Sequence, residues 1–285
     1  MNIANPMLGT PDRDTPPLMS PCVPLAGWQL NHLTFPASQH NERRYIVAPR
    51  YDVNALSAVA AMTALLPPGP YFCIDVECVA TSTHHNGRAV AQISLVDQAE
   101  RVILNLYVKP EQPVVSYLQP LTGLNKRLLD EYGMRLQDAV ATVRAHLPRN
   151  AILVGQSISK DVEWLGLKEG VDFAELRDLA GMFRVHNPRY KSWTVFSLDA
   201  VAKVLLNWQA PEGGGDHNAV QDAVKSIRVF NHYIRLTAQP GALEAAQAAL
   251  LAAPPMVPFS RRHATFEGVC MGNRKQCSCG APFFS

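Results

Sequence analysis

The chain has 285 residues, 47% of them hydrophobic and 18% charged, with a formal net charge of +2. That leaves room for a real core in one large domain with appendages. No apolar run is long enough to span a membrane, and with so small a net charge a polyanion would have to be met by a local patch, not by the global field.

Residues 1 to about 44 carry many prolines and no sustained periodicity, which predicts a loose or draped segment. Its opening, MNIANPMLGTPDRDTPP, has early acids and prolines and fits neither a secretory signal nor an Arg-rich transit peptide. DVNALSAVAAMTALL (52–66) reads as a helix stopped by Pro67 and Pro68, so 1–66 form an N-terminal extension. The main domain is expected over 67–238. YFCIDVECV, AVAQISLVD (89–97) and RVILNLYVK (101–109) read as three strands with tight connections, an antiparallel meander. The pattern then changes. NKRLLDEYG and RLQDAVATVRAHL read as helices, the second with Leu136, Ala139, Val140, Val143 and Leu147 on one face. AILVGQ (151–156) is a short apolar strand, SKDVEWLGL begins a helix, and FAELRDLA starts another strand. FSLDAVAKVLL (196–206) and AVQDAVKSIRVFNHYIRL (219–236) are strong helices. Strands followed by alternating helix and strand predict an α/β domain with a mixed sheet. Residues 239–258 read as an Ala-rich helix and a PPMVP linker, and 259–285 as a small Cys-rich tail.

The first strand poses a problem. Asp75 and Glu77 are two residues apart in an apolar run, so on a strand they point the same way. Side by side they repel, and burying either alone is costly. Either the strand ends there in water, or a divalent cation sits between them. Asp161 opens a helix after AILVGQ, and Asp222 lies near the start of a long helix after GGGDH. Four acids at comparable positions, with His217 five residues before Asp222, suit a two-metal site for phosphoryl chemistry. The histidine would take the proton, since its ordinary pKa lies near neutrality. His84, His85, His186 and His232 lack such context, and Asp216 reads as a turn residue or helix cap.

FCIDVEC, GQSISKD and HNAVQD resemble, in order and spacing, the three motifs of the DEDDh (DnaQ-like, RNase T-like) 3′–5′ exonucleases. YVKPEQPV followed by LTGL, ILVGQSISKD, and RDLAG before SLDAVAKVLL are similar to the eukaryotic Rex-type RNA exonucleases, the group of the interferon-stimulated exonuclease. The resemblance covers about 70–236 and implies an RNase H-like exonuclease fold, a mixed central sheet flanked by helices. It implies two Mg²⁺ or Mn²⁺ ions on Asp75, Glu77, Asp161 and Asp222, with His217 as general base. It implies release of nucleoside 5′-monophosphates from the 3′ end of a single strand, and it favours RNA. Gln156 departs from the pattern, since many Rex-type relatives have histidine there. The resemblance also sets the backbone of Cys78, Val79 and Ala80 beside the scissile nucleotide, and Thr122 and Gly123 at a turn near the terminal one. The residues themselves leave open a DNA exonuclease, or a non-catalytic nucleic-acid or protein-binding module on the same fold.

Other substrate contacts are read from composition. RVHNPRYKSW (184–193) interleaves Arg184, Arg189 and Lys191 with Tyr190 and Trp193, so cations could meet phosphates and rings stack on bases. The competing reading is a solvated loop whose Trp193 packs on the body. Lys160, beside Asp161, is a further phosphate candidate. In the tail, His263, Cys270, Cys277 and Cys279 are a candidate zinc set, with Arg261, Arg262, Arg274 and Lys275 around them. The spacing is irregular, and a residue of the main domain could replace His263. The other cysteines, Cys22, Cys73 and Cys78, are scattered, which suggests a reducing, intracellular compartment. No clear basic signal separates nucleus from cytoplasm.

Overall fold

The computed structural model describes residues 70–209, 217–273 and 275–281. The helix expected over 52–66, Asp216, Arg274 and Cys22 lie outside them.

Strand β1 (Tyr71–Ala80) is the centre of a five-stranded sheet of order β3-β2-β1-β4-β5. On one side β2 (Arg88–Asp97) and β3 (Val102–Tyr107) complete the expected antiparallel meander. On the other side β4 (Ile152–Gly155) lies parallel to β1, with Tyr71 opposite Ile152, and β5 (Glu175–Asp178) lies parallel to β4. Parallel neighbours need long crossovers. Helices α1 (Gln119–Thr122), α2 (Lys126–Tyr132) and α3 (Leu136–His146) lie in the connection to β4, and α4 (Ser159–Leu165) lies in the one to β5.

Alternation along β1 divides the core into two layers. Phe72, Ile74, Val76 and Cys78 join Ala139, Val140, Val143 and Leu147 of the α3 side. Leu136, the first residue of α3, is 37% exposed and does not share that burial. On the opposite face Tyr71, Ile152 and Val154 pack with α5 (Leu179–Met182), α6 (Leu198–Leu206) and α7 (Ala219–Thr237) through Leu179, Val201, Val229 and Phe230. Tyr71 and Phe230 set their rings 4.7 Å apart. Cys73 meets Ala223 and Ile227 of α7. Asp75 and Glu77 share the parity of Tyr71 and Cys73, so both are carried on the α7 side of the strand.

After α5 the basic and aromatic stretch read as either a nucleic-acid contact or a solvated loop forms a hairpin, β6 (Val185–Asn187) with β7 (Ser192–Thr194). Helix α8 (Ala242–Ala252) is joined to the body by Leu250, which is buried in the cluster of Phe183 and Phe230. The PPMVP stretch is neither helix nor strand, and its Val257 is 59% exposed. The tail that follows has one four-residue helix, α9 (Phe259–Arg262), and a minimal hairpin of β8 (Thr265–Phe266) and β9 (Val269–Cys270). Among the described residues no helix is long and apolar enough to cross a membrane.

Candidate active site

Three elements deliver the acids. Strand β1 carries Asp75 and Glu77, both partly exposed within an otherwise buried strand. Asp161 is buried in the first turn of α4, and its Oδ1 accepts the Val76 N–H at 2.9 Å, tying the helix start to the strand between the two acids. Asp222 is buried in the first turn of α7. Asn218 caps that helix by accepting from the Val220 and Gln221 N–H groups, so the turn carrying Asp222 is well anchored.

His217 stands just before the cap. Its backbone N–H donates to the Leu121 carbonyl at 2.6 Å, and its Nδ1 lies 3.0 Å from Asp222 Oδ2. Ligand atoms of Glu77, His217 and Asp222 all lie within 4.8 Å of one another. The other Asp222 oxygen is held by a residue that sequence reasoning missed. Lys225, one turn along α7 and 5% exposed, places Nζ 2.6 Å from Asp222 Oδ1 and 2.6 Å from Asp199 Oδ1 on α6. A lysine three residues after an acid on the same helix, hence on the same side of it as Asp222, was the available signal.

The charge balance is uneven. Burial, then the neighbouring Glu77, Asp161 and Asp222 charges, push the Asp75 carboxyl well up. Burial raises Glu77 to about 8 against the pull of His217. Burial also raises Asp161 to about 7, opposed by the Val76 hydrogen bond. For Asp222 burial acts upward too, but His217 and Lys225 outweigh it and hold the carboxyl below its ordinary value. The Asp222 hydrogen bond in turn lifts His217 to about 9. Both nearby cations thus bind the same carboxyl. Oxygen donors crowded together with too little positive charge suit a hard divalent cation.

The remaining candidates divide. Cys78, Val79 and Ala80 are buried, the strand register breaks between Glu77 and Cys78, and the Ala80 N–H and carbonyl pair with Ser116 and Val115. The Thr122 hydroxyl, expected beside the terminal nucleotide, is turned inward, donating to the Tyr117 carbonyl at 3.0 Å and accepting the Leu124 N–H at 3.1 Å. Gly123 (φ 72°) closes α1 in the left-handed region that glycine tolerates best. Gln156 donates to the Phe196 carbonyl at 3.0 Å, tying the end of β4 to the approach to α6. Lys160 pairs with Glu163 at 3.1 Å. Trp193 does not pack into the body. It is 57% exposed, with the Arg184 guanidinium 4.7 Å from its ring, and Arg189 lies 5.5 Å from the Tyr190 ring. Lys191 holds the hairpin turn at φ 49°.

Cys270, Cys277 and Cys279 come together as expected, but the imidazole among them belongs to His85, from the loop between β1 and β2. His263 closes α9 instead, with its ring 4.7 Å from that of Phe259. His263 is set apart because it ends α9 and the β8–β9 hairpin runs between it and the three sulfurs, whereas His85 on the β1–β2 loop lies against them.

No protein-family model matches the chain. It is 29% identical over 159 residues to small RNA degrading nuclease 2 of Arabidopsis thaliana, a match that covers 55% of this chain and 33% of that protein. It is 29% identical over 170 residues to human RNA exonuclease 5, covering 58% of this chain and 20% of that one. RNA exonuclease 4 of Gibberella zeae is 27% identical over 209 residues, covering 69% and 63%. The first two relatives are thus matched over a third or less of their own length. In structure, the chain is similar to the Pan2 catalytic unit of Neurospora crassa (TM-score 0.54, 18% identity, 67% of this chain and 31% of that one). It is also similar to the Saccharomyces cerevisiae Pan2 exonuclease module solved with AAUUAA RNA (TM-score 0.52, 19% identity, 63% and 31%). These likenesses establish the RNase H-like exonuclease fold. With its three motifs in order on that fold, the chain is similar to the DEDDh-type, RNase T-like exonucleases, and the relatives it matches are named RNA exonucleases or small RNA degrading nucleases.

Proposed function

We propose that the chain is a 3′–5′ exoribonuclease that removes nucleoside 5′-monophosphates from single-stranded RNA. The observation that carries this reading is the convergence of Glu77, His217 and Asp222 within 4.8 Å, beside Asp75 and Asp161, with carboxyl charge in excess. Asp75, Glu77, Asp161 and Asp222 would hold two Mg²⁺ or Mn²⁺ ions. Such a pair, when bound, makes water a better nucleophile and steadies the leaving oxygen. His217 accepts the proton of the attacking water. The P–O3′ bond breaks, leaving a 3′-hydroxyl on the shortened strand and a 5′-phosphate on the released nucleotide. Asp222 holds Nδ1 of His217, which orients Nε2 for that proton. A base at about 9 would be protonated at neutral pH. Asp222, whose hydrogen bond is the main cause of that rise, would hold His217 less strongly once its charge were shared with a bound cation, and the base would move toward a working value.

RNA as the substrate is supported by the names of the relatives and by the RNA bound to the similar Pan2 module. End-labelled single-stranded RNA and DNA, incubated with Mg²⁺ or Mn²⁺, test the whole reading. Stepwise shortening of RNA from a free 3′-hydroxyl, blocked by a 3′-phosphate and by EDTA, is the expected result. Shortening of DNA alone would make this a DNA exonuclease. Binding without cleavage of either would make it a non-catalytic module.

A further inference from the structure

The tail is too slight to hold itself. Its helix has four residues and its two strands two each. Among its described residues Val269 and Cys270 are the buried apolar ones, Val269 against Ala80 and Leu118. Yet four soft or borderline donors converge there. Cys270 Sγ lies 2.9 Å from Cys277 Sγ, which lies 3.1 Å from Cys279 Sγ. His85 Nδ1 is 3.2 Å from Cys279 and 3.8 Å from both Cys270 and Cys277. These separations exceed the roughly 2.05 Å of an S–S bond. Zinc bonds of about 2.3 Å to sulfur and 2.0 Å to nitrogen place tetrahedral donors about 3.5–3.8 Å apart; two of the separations are 3.8 Å, and the other three, at 2.9–3.2 Å, would open by less than an ångström around an ion.

We propose that His85, Cys270, Cys277 and Cys279 bind one structural zinc ion that clasps the C-terminal tail to the loop between β1 and β2. Four protein donors close the tetrahedron and leave no position for a reacting water. Backbone contacts already prepare the clasp. The Cys270 N–H donates to the Thr83 carbonyl at 2.7 Å, and Arg88 donates to the Cys270 carbonyl at 3.1 Å. The Gly272 N–H donates to Cys270 Sγ at 3.3 Å, the kind of contact that steadies a thiolate. The loop itself needs Gly87, where a Cβ would fall 1.9 Å from Ser82 Oγ.

The clasp also reaches toward the acids. The hairpin sets Glu267 on the Ser116 hydroxyl and Val269 on Leu118, with Leu121 and Phe266 packed at the edge of the same cluster. Leu121 is the residue whose carbonyl accepts the His217 N–H. The zinc therefore braces, through the tail and α1, the segment that holds His217.

Elemental analysis of the full chain, purified reduced and without added metal, tests the site directly. About one zinc per chain is expected, falling to about a tenth or less in His85→Ala and in Cys277→Ser, and unchanged in His263→Ala. Should those variants misfold, the unmodified protein answers instead. A thiol-blocking reagent should release its zinc to a coloured chelator, and cobalt substitution should give thiolate charge-transfer absorption. Reduced protein without zinc, full zinc in His85→Ala, or a mass two hydrogens low that marks a Cys270–Cys277 disulfide would each overturn the proposal.

Discussion

The molecule gathers ligands in two places, and it does so in opposite ways. The acid cluster stands on β1, α4 and α7, elements with buried faces of their own, so the sheet and helices hold Asp75, Glu77, Asp161 and Asp222 together against their repulsion. The sulfur cluster stands on a loop and a tail with almost no core, so there the donors must hold the chain. In the first case folding positions ligands for chemistry, and in the second the ligands complete the folding.

The contrast predicts that losing an acid removes chemistry and spares the fold. Asp75→Ala should bring 3′-end shortening down to background, with an unfolding midpoint at least as high as before, because carboxyl repulsion is relieved. Retained turnover, or a collapsed fold, would erase the distinction. Next in size, His217→Ala should slow turnover by roughly a hundredfold or more, the scale of a general base, while RNA affinity measured in Ca²⁺ stays unchanged. An unaltered rate would remove His217 from the chemistry.

A smaller effect concerns pH. Glu77 rises from 4.5 to about 8 and Asp161 from 3.8 to about 7 on folding, so between those values the folded chain binds more protons than the unfolded one. His217 rises from 6.5 to about 9, and its contribution is complete below 6.5 and lost as pH climbs through 9. All three act in one direction, so EDTA-treated protein should melt at a lower temperature at pH 8 than at pH 5. Mg²⁺ should raise the midpoint more at pH 8. Melts independent of pH, or highest at pH 8, would mean the acids are not crowded as described. Smallest of all, Trp193→Ala should weaken RNA binding by about fivefold, the low end of base stacking at about 1 kcal/mol, in a filter-binding titration. Undiminished affinity would leave the β6–β7 hairpin a surface feature.

The strands and helices around the acids were legible because each carries a strong period. Phe72, Ile74 and Val76 alternate with Cys73, Asp75 and Glu77, and the apolar stripe of α7 repeats over five turns. The partners of those residues were not legible, because they depend on which elements meet. Lys225 was passed over in the sequence because its partner Asp199 stands on a different helix, α6. His85 looked ordinary because its ligand partners lie 185 to 194 residues away in the chain. Thr122 matched a motif, yet the inward turn of its hydroxyl depends on α1, a four-residue helix too short for periodicity to reveal.

Lys225 has one more consequence. With its ammonium on one oxygen of Asp222 and His217 on the other, the acid carries its counter-charges from the moment α7 docks. The exonuclease core would then fold around Asp222 before any ion reaches the acids. Charging the site becomes an exchange, in which an arriving ion competes with an internal ammonium for a carboxylate oxygen. Occupancy would follow the free concentration of the ion in its surroundings, and a folded, dormant protein would await it.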